Sequence, residues 1–241
     1  MRQMLTATAL LAGLGFAAPV LGQSADVLLN CSNCHTVAPD PGEPAAGLSP
    51  YPDLNGKPVR YLERQLHAYR NGLRQHARMQ QTAIMLGAGN AAMARLYADA
   101  PVPRLRFQGD PADHATARRL IDAGDWTRGL APCASCHGAK PESDKTGMRV
   151  ADQARLVPRL HGQPDAYLAR QLRAYADGTR RSDSLGRMRA FSARLTPAEI
   201  SQLTTYYADW TPISQSPRAA ECPIHPFPRA AFFWLASPPP R

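Results

Sequence analysis

Five sequence landmarks occur twice in this chain of 241 residues, in the same order each time. The first copy consists of CSNCH at 31–35, YPDLNG at 51–56, YLERQLHAY at 61–69, Arg78-Met79 and Leu86. The second copy consists of CASCH at 133–137, VPRLHG at 157–162, YLARQLRAY at 167–175, Arg187-Met188 and Leu195. A period of about 100 residues is too long for a solenoid, so the repeat predicts two homologous domains in tandem.

The repeat also divides the chain into segments. Pro101 and Pro103 mark a linker between the two copies. The predicted segments are a signal peptide at 1–22, a first domain at 23–100, a linker at 101–111, a second domain at 112–211 and a Pro-rich tail at 212–241.

The first segment is typical of a secretory signal peptide. Arg2 precedes an uncharged apolar stretch from Leu5 to Ala18, and Gly22 is small enough to end a cleavage site. The alternative is a membrane anchor, but the apolar stretch is short for a span and Pro19 closes it. We therefore expect cleavage near Gly22 and export to a bacterial periplasm.

Helical patterns dominate the rest of the sequence, and no strand pattern is convincing. The apolar residues at 61–69 and 167–175 fall on one face of a helix in each copy. Thr196-Pro-Ala-Glu199 predicts a capping box that opens a final helix. A further helix is expected to start at Asp110-Pro111, and the last helix of the first domain at Asn90. The predicted fold class is all-α.

The CxxCH motif is the attachment signature of c-type haem. Its two thiols form thioethers with the haem vinyl groups, and the adjacent His becomes the proximal iron ligand. The predicted cofactors are two covalently bound haems c: one is held by Cys31, Cys34 and His35, and the other by Cys133, Cys136 and His137. A zinc site would need four ligands, but the two CxxC pairs lie about 100 residues apart, each inside its own repeat. A thioredoxin-like redox pair would need a βαβ context, which is absent, and structural disulfides within CxxC are uncommon.

The sixth iron ligand distinguishes a closed electron carrier from an open, reactive iron. The repeat selects Met79 and Met188, because each follows an Arg and lies seven residues before a matched Leu. The alternative is a Met of the hydrophobic core, which is the usual place for this residue. In the first domain His76, Met85 and Met93 also lie near the expected position.

The combined landmarks resemble class I cytochromes c, and their tandem occurrence resembles the di-haem cytochromes c of the c4 type. The resemblance covers residues 24–211. It implies two small α-helical domains related by pseudo-twofold symmetry, with the haem edges facing each other. It also implies electron transfer in the periplasm, often to a terminal oxidase, and a carbonyl at Pro52 and Pro158 that orients each proximal His.

Charge and the remaining residues bear on the partners. The net charge is +9, with Arg clusters that include Arg74 and Arg180. The clusters predict either an acidic docking surface on a redox partner or a solvated helix face with some Arg paired to haem propionates. No reader motif accompanies the charge, so nucleic-acid binding is not expected. Cys222 is left over after haem attachment.

The sequence thus predicts an electron carrier rather than an enzyme. Its expected partners are an electron donor and a terminal oxidase or dehydrogenase, with membrane association only through such a partner. Two alternatives stay open: the cytochrome subunit of a larger periplasmic dehydrogenase, which the aromatic tail and Cys222 motivate, and a di-haem enzyme with one open iron.

Overall fold

A computed structural model of the chain describes residues 31–35, 50–141, 156–183 and 185–213. The expected signal peptide, the Pro-rich tail and Cys222 lie outside these residues. No helix in the described part is long and apolar enough to cross a lipid bilayer.

Three α-helices form most of the first domain. They are α1 (Val59–Arg70), α2 (Ala77–Leu86) and α3 (Asn90–Asp99), with a 3₁₀ turn at Gly87–Gly89 between the last two. The α3 helix starts at Asn90, as predicted. Tyr61 and Leu62 of α1 pack against Met93, Ala94 and Tyr97 of α3, and this cluster also contacts the partly buried Cys31. The core thus lies directly behind the first CxxCH turn.

In the described residues of the second domain there are five α-helices. They are α4 (Ala115–Asp122), α5 (Ala134–His137), α6 (Asp165–Ala176), α7 (Arg187–Ser192) and α8 (Pro197–Ala208). The α4 helix starts later than predicted, because residues 111–114 form turns and His114 is the N-cap. The predicted capping box of α8 is confirmed: the Thr196 side chain accepts from the Glu199 amide at 3.2 Å, and the Glu199 carboxylate accepts from the Thr196 amide at 2.9 Å.

The repeat of the sequence becomes a repeat of structure. Helices α1 and α6 both have 12 residues, both follow a Pro at the N-cap, and both are followed by a Gly with positive φ, Gly72 and Gly178. A positive φ lets glycine reverse the chain at the helix end without a steric penalty. The helices therefore end at equivalent positions and present the same face to the domain interface.

A small sheet contradicts the expectation that the chain contains no strands. Strand β1 (Leu105–Phe107), in the linker region, pairs antiparallel with β2 (Trp210–Pro212), which follows α8. Each strand has three residues, which is too short for an alternating pattern to be recognised. The sheet holds the linker segment that contains β1 against the second domain.

Candidate haem-binding sites

The second domain encloses a cavity of about 460 Å³ that collects the predicted site residues. Cys133, Cys136 and His137 line it, and so does Met188 from α7. The remaining lining of the second domain is mainly apolar and includes Leu168 and Phe191. Residues of the first domain also line the cavity, namely Lys57, Tyr61, Arg64 and Gln65.

Each CxxCH motif forms a single helical turn. In the second domain the amide of His137 donates to the Cys133 carbonyl at 2.9 Å, and in the first the amide of His35 donates to the Cys31 carbonyl. This turn presents two thiols and one imidazole from five consecutive residues. The four thiols of these motifs are not in disulfide bonds.

The first thiol of each motif lacks the lowered pKa of a reactive redox cysteine. Burial raises the pKa of Cys133 to about 11, and burial together with the charge of Cys34 raises the pKa of Cys31. A reactive cysteine needs a lowered pKa, so the thioredoxin-like interpretation has no support here. The described residues also hold no group of three or more His, Cys, Asp or Glu suited to a metal ion, which leaves the zinc interpretation without a ligand set.

The histidines of the two CxxCH motifs are held in the same way. The Nδ1 atom of His35 donates to the Pro52 carbonyl at 2.8 Å, and the Nδ1 atom of His137 donates to the Pro158 carbonyl at 2.8 Å. These are the two carbonyls that the resemblance singled out. With Nδ1 occupied, Nε2 is the basic nitrogen that can bind iron.

The protonation state of both rings suits iron binding. Burial lowers the pKa of His35 and of His137, so both are neutral near pH 7, as a ligand must be. In the first domain the Tyr97 hydroxyl also donates to the His35 carbonyl at 3.0 Å, in a buried position. The first CxxCH turn is therefore tied to α3 as well as to Pro52.

Met79 lies in the first turn of α2 and is half-buried. The alternatives to it occupy different environments. Met93 is 9% exposed and belongs to the core of the first domain, and Met85 is 85% exposed. His76 is the N-cap of α2, where its Nδ1 atom accepts from the Met79 amide at 3.4 Å.

Comparison with known proteins agrees with this geometry. The cytochrome c family profile matches residues 130–208. A thiosulfate dehydrogenase electron acceptor from Thiomonas intermedia (strain K12) is 35% identical over 216 residues, which cover 86% of this chain and 91% of the relative. The chain belongs to the di-haem cytochromes c of the c4 type. Covalently bound haem c and electron transfer are therefore properties of its family.

Solved structures give the same result for the fold. The reduced cytochrome c4 from Pseudomonas stutzeri superposes with a TM-score of 0.59 at 26% identity, over 80% of this chain and 100% of that chain. The thiosulfate dehydrogenase TsdBA from Marichromatium purpuratum has a TM-score of 0.59 at 32% identity, over 75% of this chain. The matched part is 36% of that longer protein.

A ring of six polar residues between the two cytochrome domains was not predicted. We call it the interface ring; it consists of Tyr61, Gln65 and Arg74 from the first domain and Tyr167, Gln171 and Arg180 from the second. Each guanidinium donates to the Gln of its own domain and to the Gln of the other, at 2.8 to 3.0 Å. Each also donates to the Tyr hydroxyl of the other domain, Arg74 at 2.9 Å and Arg180 at 3.4 Å.

The interface ring corrects one expectation from the sequence. Arg74 and Arg180 are only 5% and 4% exposed, so they do not belong to a solvated helix face. Each also lies over an aromatic ring of its own domain, Arg74 over Tyr69 at 4.6 Å and Arg180 over Tyr175 at 4.3 Å. The sequence carries a signal for this ring: the same residue type stands at 61 and 167, at 65 and 171, and at 74 and 180, and the spacing is 106 residues in each pair.

The charges of the interface ring suit the edge of a haem. Among the described residues, neither Arg74 nor Arg180 forms an ion pair with a carboxylate, and the buried Arg74 Nε has no hydrogen-bond partner. Burial alone would raise the pKa of Tyr167, but the two guanidinium charges outweigh it and lower that pKa to about 8. Buried cations without a counterion are costly, so this donor set fits anionic propionates.

Proposed function

We propose that this chain is an exported electron carrier that holds two haems c, one in each domain. Thioethers from Cys31 and Cys34 hold the first haem, and thioethers from Cys133 and Cys136 hold the second. His35 and His137 are the proximal ligands. When bound, each haem supplies a one-electron Fe³⁺/Fe²⁺ couple; the chain supplies ligands, burial and charge.

The observation that carries this proposal is the convergence of His137, both thiols of its motif and Met188 on one apolar cavity. A thioether beside an imidazole favours the ferrous state relative to a second imidazole, and so gives a high potential. The mainly apolar lining of the cavity gives the haem a largely apolar environment.

We assign Met79 as the corresponding ligand of the first haem. Three observations support the assignment. The repeat aligns Met79 with Met188, Met85 extends into solvent, and Met93 is committed to the core. His76 is engaged at the start of α2, where its ring accepts the Met79 amide. With both irons six-coordinate, the protein makes and breaks no substrate bonds, and it is a carrier rather than an enzyme.

The electron donor we propose is a periplasmic dehydrogenase. Two similarities favour a thiosulfate dehydrogenase: the 35% identical relative is named for accepting electrons from one, and part of the solved TsdBA chain shares this fold. The basic net charge of +9 suits an acidic docking surface on the partner. A terminal oxidase is the acceptor in this scheme.

The test is a carbon monoxide difference spectrum of the reduced, exported protein, after mass spectrometry has confirmed two covalent haems. Wild type is expected to show no spectral change, because both irons are closed. Met79→Ala and Met188→Ala should each expose about half of the haem to carbon monoxide. Met85→Ala is the matched control and should behave as wild type.

Three results would contradict parts of the proposal. A response in half of the wild-type haem would favour an enzyme with one open iron. A carbon monoxide response in Met85→Ala, with none in Met79→Ala, would move the sixth ligand to Met85. A protein that carries no covalent haem would refute the function as a whole.

A further inference from the structure

The loop before Met188 is longer than its counterpart in the first domain. Arg74 and Arg180 correspond at the 106-residue spacing of the two helices. Met79, however, follows its Arg by five residues, whereas Met188 follows its Arg by eight. Three additional residues therefore lie between Arg180 and Met188. This longer loop contains Leu185 and distinguishes the second domain from the first.

Leu185 lies at the mouth of the cavity that collects His137 and Met188. It is one of the residues that line this cavity, yet it is 69% exposed to solvent. Exposure of a leucine brings no stability, since full burial of such a side chain is worth about 1.5–3 kcal/mol. A residue that borders both the cavity and solvent marks the place where a partner protein can come closest to a cofactor held inside.

Hydrogen bonds hold the loop at both ends. The Arg181 amide donates to the carbonyl of Leu73 in the first domain at 2.6 Å. The Asp183 carboxylate accepts from the Arg189 amide at 3.1 Å and from the Arg189 Nε atom at 2.9 Å. Leu185 is therefore presented by a loop that is already ordered, which reduces the entropic cost of binding a partner.

The loop also carries positive charge at its surface. Arg181 and Arg187 are exposed, and among the described residues neither forms an ion pair with a carboxylate. Asp183 is the acidic residue of the loop, and Arg189 neutralises it at 2.9 Å. Arg187 borders the cavity together with Leu185. An apolar residue at the cavity mouth thus stands between two available cations in the sequence of the loop.

We propose that Arg181, Leu185 and Arg187 form a docking surface for a redox protein that is apolar at its point of contact and acidic around it. The inference rests on the proposed function, because it requires a haem in the cavity of the second domain. One electron crosses this contact between that haem and the redox centre of the partner. One centre is oxidised and the other reduced, and no bond or proton is exchanged.

Charge and size favour this occupant over two others. A second copy of this chain, with a net charge of +9, would bring like charges together at the same surface. A lipid membrane would need a larger basic cluster and a broader apolar face than one leucine and two arginines provide. A small contact with complementary charge is typical of the transient encounters in which proteins exchange electrons.

The test follows electron transfer by stopped-flow absorbance from the reduced, full-length di-haem protein to oxidised plant plastocyanin, a strongly acidic blue-copper protein. At an ionic strength of about 0.1 M, Leu185→Asp should lower the second-order rate constant about tenfold, because it removes the apolar contact and adds repulsion. Arg181→Gln combined with Arg187→Gln should lower it about fivefold and weaken its dependence on salt. Leu185→Ala should lower it about threefold without any change of charge.

Matched changes elsewhere are the controls. Ile84→Asp introduces the same charge at an apolar position of the first domain that is 54% exposed. Arg118→Gln combined with Arg119→Gln removes two exposed cations from α4. Both should leave the rate constant within about twofold of wild type, because solvent and salt screen charges that lie away from the contact.

A second oxidant separates docking from a change at the haem. Tris(phenanthroline)cobalt(III) is small and cationic, so the loop cations repel it where they attract plastocyanin. Transfer to it should be as fast in Leu185→Asp as in wild type, or faster. An equal loss with both oxidants would show that the variant alters the haem site rather than docking, and would overturn the inference.

The remaining outcomes separate this inference from the function on which it rests. Slower transfer to plastocyanin in the three loop variants, with both controls unchanged, would support it. An effect of Ile84→Asp as large as that of Leu185→Asp would place docking on the first domain and overturn it, as would loop variants that react like wild type. A wild-type protein that transfers electrons to neither oxidant would overturn the proposed function itself.

Discussion

Removal of one guanidinium from the interface ring should lower the free energy of unfolding by less than half of the loss caused by removal of both. Each Gln oxygen of the ring accepts from both guanidiniums: Gln65 from Arg74 at 3.0 Å and Arg180 at 2.8 Å, and Gln171 from each of them at 2.8 Å. In Arg180→Met, Arg74 still satisfies both oxygens. Arg180→Met removes the hydrogen bonds from Arg180 to Gln65, Gln171, Tyr61 and Ser182. Four bonds at about 1 kcal/mol each predict a loss of about 4 kcal/mol in the free energy of unfolding.

The double variant removes this redundancy. With Arg74 and Arg180 both replaced by Met, Gln65 and Gln171 lose every guanidinium donor, and a buried unpaired acceptor costs about 1–3 kcal/mol. We therefore expect the double variant to lose at least about 2 kcal/mol more than the sum of the two single variants.

The assay is denaturant unfolding of the haem-loaded protein, followed by circular dichroism, for wild type, both single variants and the double variant. Arg173→Met replaces an exposed Arg of α6 and serves as the control for loss of charge and change of side chain. It should change stability by less than about 0.5 kcal/mol. Additivity of the two single variants within about 0.5 kcal/mol would refute the shared-acceptor argument.

Three other predictions test local parts of the structure. The hydrogen bond from Arg128 lowers the pKa of Glu199 to about 2, so Glu199 stabilises the folded state at pH values above its unfolded pKa of 4.5. About 1 kcal/mol of the free energy of unfolding, after solvent screening, should be lost as the pH falls toward 2. Glu199→Gln should abolish this loss when unfolding is measured as a function of pH. Gly124→Ala should lower the free energy of unfolding by at least about 2 kcal/mol in a thermal melt, because φ is +73° and a Cβ would collide with the Leu130 carbonyl oxygen. Gly178→Ala also has a positive φ but open space around it, and should lower the free energy of unfolding by only about 1 kcal/mol. Equal losses in the two variants would contradict the steric argument. Tyr97→Phe removes a buried hydrogen bond to the backbone of the first CxxCH motif and should cost about 1–2 kcal/mol, with no loss of covalent haem by mass.

Some parts of this structure follow from local chemistry that a sequence displays openly. The capping box of Thr196 and Glu199 needs two residue types at a fixed spacing, and the structure confirms it. The hydrogen bonds from His35 to Pro52 and from His137 to Pro158 are predicted through the family resemblance, and the structure contains both. The sequence predicts that α4 starts at Asp110-Pro111, but the helix begins at Ala115, because Asp-Pro is equally suited to a turn.

Other parts depend on contacts between distant segments. The β1–β2 sheet joins residue 105 to residue 212, and its three-residue strands carry no periodic signal. In the sequence, Arg74 and Arg180 stand among other Arg residues, as is typical of an exposed charged surface. Only the docking of the two domains reveals that each is buried against the Gln and Tyr of the other.

The sequence by itself determined the repeat, the two CxxCH motifs and the electron-transfer family, because these depend on residue types at fixed short spacings. Only the tertiary structure decided that one domain supplies a cation, Lys57, to the cavity of the other, and that Asp53 faces Arg159 across the interface. A tandem repeat specifies two similar folds, but the field at each site depends on what the opposite domain places beside it. That arrangement arises only when the two domains pack together, because electrostatic interactions act through space and not along the chain.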